Sequence, residues 1–167
     1  ENLEIIRKYS VGMDIVTVIG APLRWKNYLY DCAVIIQDGN YLGVVPKGNL
    51  AEGLERNENR WFTSALETEE AELFLGNQRV PFGANLLLTD RKQGITFGVE
   101  IGEDMCSVIP KASVLAAAGA QVILNISAAS ETVCSGEKLK LLLKQLSASS
   151  KCVYAYNSGS EGESTTD

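Results

Sequence analysis

The chain has 167 residues, 46% of them hydrophobic, which suits a single domain with a buried core. Asp and Glu number 21 against 15 Lys and Arg, and the resulting net charge of −6 repels phosphate backbones and argues against nucleic-acid binding. There is no histidine, which excludes Ser-His-Asp and Cys-His catalysis and histidine-ligated metals and leaves Lys, Glu, Asp, Cys, Ser or Tyr for any chemistry.

Residues 3–10 carry Leu3, Ile5, Ile6 and Tyr9 at helical spacing, with Gly12 as a stop. Residues 14–20 read as a buried strand. Residues 30–37 and 41–45 read as two strands joined through Asp38-Gly39, a strong hairpin signal, and Pro46 ends the second. Residues 47–62 are polar and irregular, and loops of this length often wall active sites. Residues 86–88 and 96–101 read as another strand pair. A strand-like run then ends abruptly in Gly102-Glu103-Asp104, before a helix near Ser113 that Gly119 caps. A strand at 122–126, an amphipathic helix at 138–149 bearing Leu139, Leu142, Leu143 and Leu146, and a strand at 152–156 complete the pattern. Hairpins combined with β-α-β steps predict a mixed α/β, two-sheet core clad in helices.

Cys32, Cys106, Cys134 and Cys152 are far apart and form no Cys-x-x-Cys pair, so neither a zinc site nor a disulfide framework is expected, and reduced thiols in a cytoplasmic setting are the default. The opening Glu1-Asn2-Leu3-Glu4 lacks the basic start and apolar centre of a signal peptide. No apolar stretch is long enough to span a bilayer, so no membrane partner is expected.

Three blocks, Gly20-Ala21-Pro22-Leu23-Arg24, residues 29–35 and Gly43-Val44-Val45-Pro46-Lys47, resemble the nitrilase superfamily. Within it the chain is similar to the glutamine-hydrolysing domains of glutamine-dependent NAD synthetases. Arg60-Trp61-Phe62, residues 80–87, the elbow at Gly102, residues 115–119, residues 123–128 and the closing Gly162-Glu163-Ser164-Thr165-Thr166-Asp167 continue the likeness in order over nearly the whole chain. The resemblance implies an α-β-β-α sandwich with a Glu-Lys-Cys triad. In that chemistry a thiolate attacks the side-chain amide of glutamine, a glutamate moves the proton, and a lysine ammonium stabilises the oxyanion. Ammonia then passes to a separate domain, where ATP and magnesium are expected to drive amidation of deamido-NAD. No cofactor is expected in this chain itself.

By the resemblance Lys47 is the lysine of the triad. Glu58, four residues before Phe62, reads either as the carboxylate that orients that lysine or as a solvated loop residue, and Glu55 is a weaker candidate for the same pocket. Gly102 stands where the family has its nucleophilic cysteine, and glycine cannot attack an amide. Glu103 offers a backbone N–H to an oxyanion hole and, with Asp104, also reads as a polar turn before a helix. Ser127 and Asn125 lie at a strand end where the family builds its substrate pocket, and hydrogen bonding at that terminus is the other reading. Cys106 reads as a buried structural thiol rather than a displaced nucleophile. No residue matches the family's catalytic glutamate. A tyrosine of the lysine loop is replaced by Gly53, and a serine near the substrate by Ala129.

Residues 1–167 therefore read as one partial carbon–nitrogen hydrolase domain, an incomplete sandwich cut at both ends and inactive on its own. A synthetase domain or a second copy of the chain is the expected partner. The alternative is a degenerate nitrilase-fold module that binds or scaffolds without hydrolysing. A different carbon–nitrogen hydrolase, using Lys47 with another nucleophile, ranks third.

Overall fold

The computed structural model describes residues 2–52, 57–129 and 135–159. Helix α1 (Asn2–Tyr9) is followed by β1 (Thr17–Trp25), β2 (Tyr28–Gln37), β3 (Asn40–Pro46), β4 (Ala71–Leu75), β5 (Gln78–Phe82), β6 (Leu87–Asp90) and β7 (Ile95–Ile101). Helix α2 (Lys111–Ala117), β8 (Val122–Ile126), α3 (Ser135–Ser150) and β9 (Val153–Asn157) follow. One sheet has the order β1-β2-β3-β5-β4, the other β6-β7-β8-β9. In the second sheet β7, β8 and β9 run parallel, as the crossovers through α2 and α3 require.

Strand β2 shows why the two sheets stack. Cys32, Val34 and Ile36 point to one face and Ala33 and Ile35 to the other, and all five are fully buried. Ala33, Ile35 and Val45 of the first sheet meet Val99 and Ile101 of the second in the inter-sheet core. The outer face of the second sheet is covered where Ala112 and Leu115 of α2 pack with Ile123. The outer face of the first sheet gathers Tyr30, Val34, Val80 and Phe82, and α1 adds only the half-buried Leu3. The layers are those of an α-β-β-α sandwich, with a thin helical layer over the first sheet.

The Asp38-Gly39 turn holds φ values of 44° and 72° at its two central residues, the left-handed pair that a two-residue hairpin demands. Three sequence expectations change. Residues 14–20 are not a buried strand: β1 begins at Thr17, continues to Trp25 and is half-exposed because it lies at a sheet edge, where Pro22 costs no central ladder bond. The β4–β5 hairpin was not expected. Its Glu72, Arg79 and Pro81 hide the strand signal, and its inward side chains, Leu73, Val80 and Phe82, are the buried ones. Helices α2 and α3 both start a little earlier than their periodicity implied.

Candidate active site

Strand β3 ends at Pro46 and delivers Lys47 into the protein. The Lys47 N–H donates to the Asp31 carbonyl at 2.8 Å, and its own carbonyl accepts from Ala65 N at 3.0 Å, so the main chain is held on both sides. The Lys47 side chain is 3% exposed. Its Nζ donates to Glu58 Oε1 at 2.9 Å, Glu58 Oε2 at 2.7 Å and Glu103 Oε2 at 2.8 Å. Burial works against this charge, but the Glu103 and Glu58 carboxylates outweigh it and hold the pKa above the ordinary lysine value. Lys47 is therefore a fixed ammonium: it can stabilise negative charge and is no base.

Glu58 is not a solvated loop carboxylate. It accepts from Ala51 N at 2.8 Å with Oε2, the oxygen nearer Lys47, and its own N–H donates to the Ala51 carbonyl. Ala51 and Lys47 thus close on that carboxylate together.

Strand β7 ends in a short 3-10 turn, Gly102–Cys106. Gly102 has φ +48°, in the left-handed region that glycine occupies without a Cβ clash. A Cβ built on it lies 3.4 Å from Lys47 Nζ and 3.7 Å from Ser127 Oγ. The Cβ direction of Gly102, the Lys47 ammonium and the Ser127 hydroxyl thus lie together at the ends of β3, β7 and β8. Ser127 is itself anchored by its N–H to the Asn157 carbonyl at 2.9 Å.

Asp104 joins the two halves of this site, a role the sequence reading missed. It is fully buried. Oδ1 accepts from Gly48 N at 3.0 Å, Asn49 N at 2.7 Å and Asn49 Nδ2 at 3.3 Å, while Oδ2 faces Ile101 N at 3.3 Å and Lys111 Nζ at 3.4 Å. The residues that follow Lys47 are thereby tied to the turn that follows Gly102. Burial pulls the Lys111 pKa down, and the Asp104 charge opposes it.

Asn125, expected at the pocket, is 1% exposed and turned the other way. Its Oδ1 accepts from Gly102 N at 3.1 Å, and its Nδ2 lies 3.1 Å from the Gly102 carbonyl, 3.1 Å from Glu100 Oε1 and 3.0 Å from Tyr154 Oη. The hydrogen bonds of the amide go to the Gly102 backbone and to two side chains, Glu100 and Tyr154. Tyr154 Oη also donates to Glu100 Oε1. Glu100 is fully buried, its Oε2 has no hydrogen-bond partner, and burial raises its pKa. A glutamate inside the apolar run Gly98-Val99-Glu100-Ile101 was the sequence signal for this cluster.

Cys106 is exposed rather than buried. Desolvation of its thiol and the nearby Glu103 carboxylate both push its pKa up, which keeps it protonated and makes it a poor nucleophile. Gly53, Glu55, Cys134 and residues 162–167 lie outside the described residues. A cavity of about 560 Å³ lined by Val16, Leu42, Leu88 and Phe97 sits at the opposite end of β7, away from Lys47. Among the described residues no group of three or more His, Cys, Asp or Glu could hold a metal ion, and no helix is long and apolar enough to cross a membrane.

No family model matches the chain. A glutamine-dependent NAD(+) synthetase of Mycobacterium leprae is 39% identical over 153 residues, which is 91% of this chain and 22% of that protein. The chain therefore spans about a fifth of the length of the curated relatives it matches. A solved glutamine-dependent NAD(+) synthetase from Cytophaga hutchinsonii superposes with a TM-score of 0.79 at 24% identity, over 93% of this chain and 25% of that one. One from Acinetobacter baumannii, in complex with ADP, gives 0.71 at 22% identity over 94% and 26%. A CN-hydrolase superfamily protein from Xanthomonas campestris, with an arsenic adduct in its active site, gives 0.65 at 11% identity over 95% and 53%. The fold is thus the nitrilase, or CN-hydrolase, fold.

Proposed function

From its nitrilase fold and its similarity to glutamine-dependent NAD synthetases, we propose that this chain is a glutaminase-type domain whose amide-hydrolysing step is disabled at residue 102. One observation carries the reading: the Cβ direction of Gly102 faces the Lys47 ammonium at 3.4 Å. In the parent reaction a thiol in that seat attacks the glutamine amide, and the ammonium balances the oxyanion that forms. Here Lys47 keeps its charge through Glu58 and Glu103, but no atom at residue 102 can form the thioester. Loss of the nucleophile from a catalytic unit costs on the order of 10⁶ in rate, which reduces ammonia release to background.

Within a whole protein, the role of such a domain is to bind glutamine and feed ammonia to an ATP- and magnesium-dependent synthetase domain that amidates deamido-NAD, in the cytoplasm and in an oligomer. A second reading, a binding or scaffold module of the same fold, draws support from Gly102 and from Ala129, where the family's pocket serine is absent. The two separate in a pair of measurements on the chain as it stands. Ammonia release from glutamine is expected to be undetectable. Calorimetric titration with glutamine decides the rest: saturable binding supports the disabled glutaminase, and no binding at millimolar glutamine supports the scaffold. A Gly102→Cys variant is expected to remain silent, because no residue of the chain matches the family's general-base glutamate.

A further inference from the structure

We infer that Asn125 is the positioning residue of the elbow: its side-chain amide, oriented by Glu100 and Tyr154, holds residue 102 in its left-handed conformation with its Cβ direction towards Lys47. The inference takes from the proposed function only that residue 102 is the nucleophile seat.

A left-handed residue at the end of a strand leaves the regular ladder, so its own N–H and C=O need other partners. In the parallel pair β7–β8 the last register positions are Glu100 with Asn125 and Ile101 with Ile126. Beyond them the ladder stops. Asn125 supplies the two missing partners from one planar group: Oδ1 accepts the Gly102 N–H at 3.1 Å, and Nδ2 donates to the Gly102 carbonyl at 3.1 Å. A two-point contact with both faces of one residue fixes its φ and ψ together. A single hydrogen bond would leave the turn free to rotate about the other bond.

The amide is useful only in this orientation, and its neighbours select it. Glu100 Oε1 and Tyr154 Oη both lie on the Nδ2 side, at 3.1 and 3.0 Å. A flipped amide would set Oδ1 against the Glu100 oxygen and Nδ2 against the Gly102 N–H. Two of its contacts end on the Gly102 backbone, so the cluster acts on the elbow itself.

Amide hydrogen exchange tests this in the unmodified chain and in Asn125→Ala. The Gly102 amide is expected to exchange at least tenfold faster in the variant, while Val99 and Leu124 in the same two strands change less than threefold. Uniform acceleration across β7 and β8, or no change at Gly102, would overturn the inference, since a merely structural asparagine predicts one or the other. If Asn125→Ala does not fold, Tyr154→Phe decides: it removes one orienting contact and is expected to speed Gly102 exchange at least threefold, and an unchanged rate there would overturn the inference. Neither arm uses glutamine, so failure here is distinct from failure of the proposed function.

Discussion

Two buried polar clusters flank residue 102, and they solve opposite problems. In front, Lys47 is charged, and two carboxylates compensate it inside 3 Å. Behind, Glu100 has no cation within salt-bridge distance among the described residues; it is surrounded by Tyr154 and Asn125 and keeps one oxygen unpartnered. The front cluster holds a compensated charge, whereas the rear cluster orders hydrogen bonds that hold a backbone turn. Under the proposed function the two are complementary, because an ammonium stabilises a developing oxyanion only where an attacking atom is held still beside it.

The sharpest break of the contrast comes from removing the front charge. Lys47→Met leaves Glu58 and Glu103 without their cation in a largely buried setting and is expected to cost about 3 kcal/mol in a urea melt. At the seat itself, Gly102→Ala adds a Cβ to a residue at φ +48° and is expected to cost about 1 kcal/mol. Tyr154→Phe in the rear cluster removes two hydrogen bonds, one donated to Glu100 and one accepted from Asn125, and is expected to cost about 1 kcal/mol. Cys106→Ser, at an exposed site that neither cluster uses, is expected to stay within about 0.5 kcal/mol of the parent.

Titration sharpens the same comparison. Burial raises the Glu100 pKa, so the folded state holds its proton to higher pH than the unfolded chain does. Stability from this group is therefore full below the ordinary glutamate value of about 4.3 and falls as pH rises through the raised folded value. Glu100→Gln removes that loss, so the stability of the variant relative to the parent is expected to rise with pH across this window. Chemical melts at a series of pH values read the slope, and a flat difference would mean that Glu100 is not held protonated. Lys47 follows the same sign in a different window: its raised pKa keeps its contribution in place through neutral pH, with loss only above the ordinary lysine value of about 10.4.

The sequence made some of this legible and hid the rest for physical reasons. Asp38-Gly39 announces the β2–β3 hairpin because a two-residue loop needs left-handed residues. The β4–β5 hairpin stays hidden because one face of an edge hairpin carries Glu72, Arg79 and Pro81, which imitate a loop. Lys47 and Gly102 are anticipated as neighbours only through family resemblance, since 55 residues separate them in the chain and no local pattern links them. Asp104 illustrates the limit. Next to Glu103 it looks like an ordinary polar turn, and its role is visible only once Gly48, Asn49 and Lys111 surround it. Asn125 could be placed at a strand end, but the direction of its amide depends on Tyr154, 29 residues later.

The central claim is that residue 102 faces the Lys47 ammonium. The most direct measurement is the pH profile of thiol alkylation at residue 102 in a Gly102→Cys variant, resolved by peptide mass spectrometry, with and without Lys47→Met. Loss of a cation beside the thiol destabilises the thiolate, so the midpoint at residue 102 is predicted to rise by about 1 pH unit or more, while that of Cys106 changes less. Identical midpoints at residue 102 in the two variants would contradict the account.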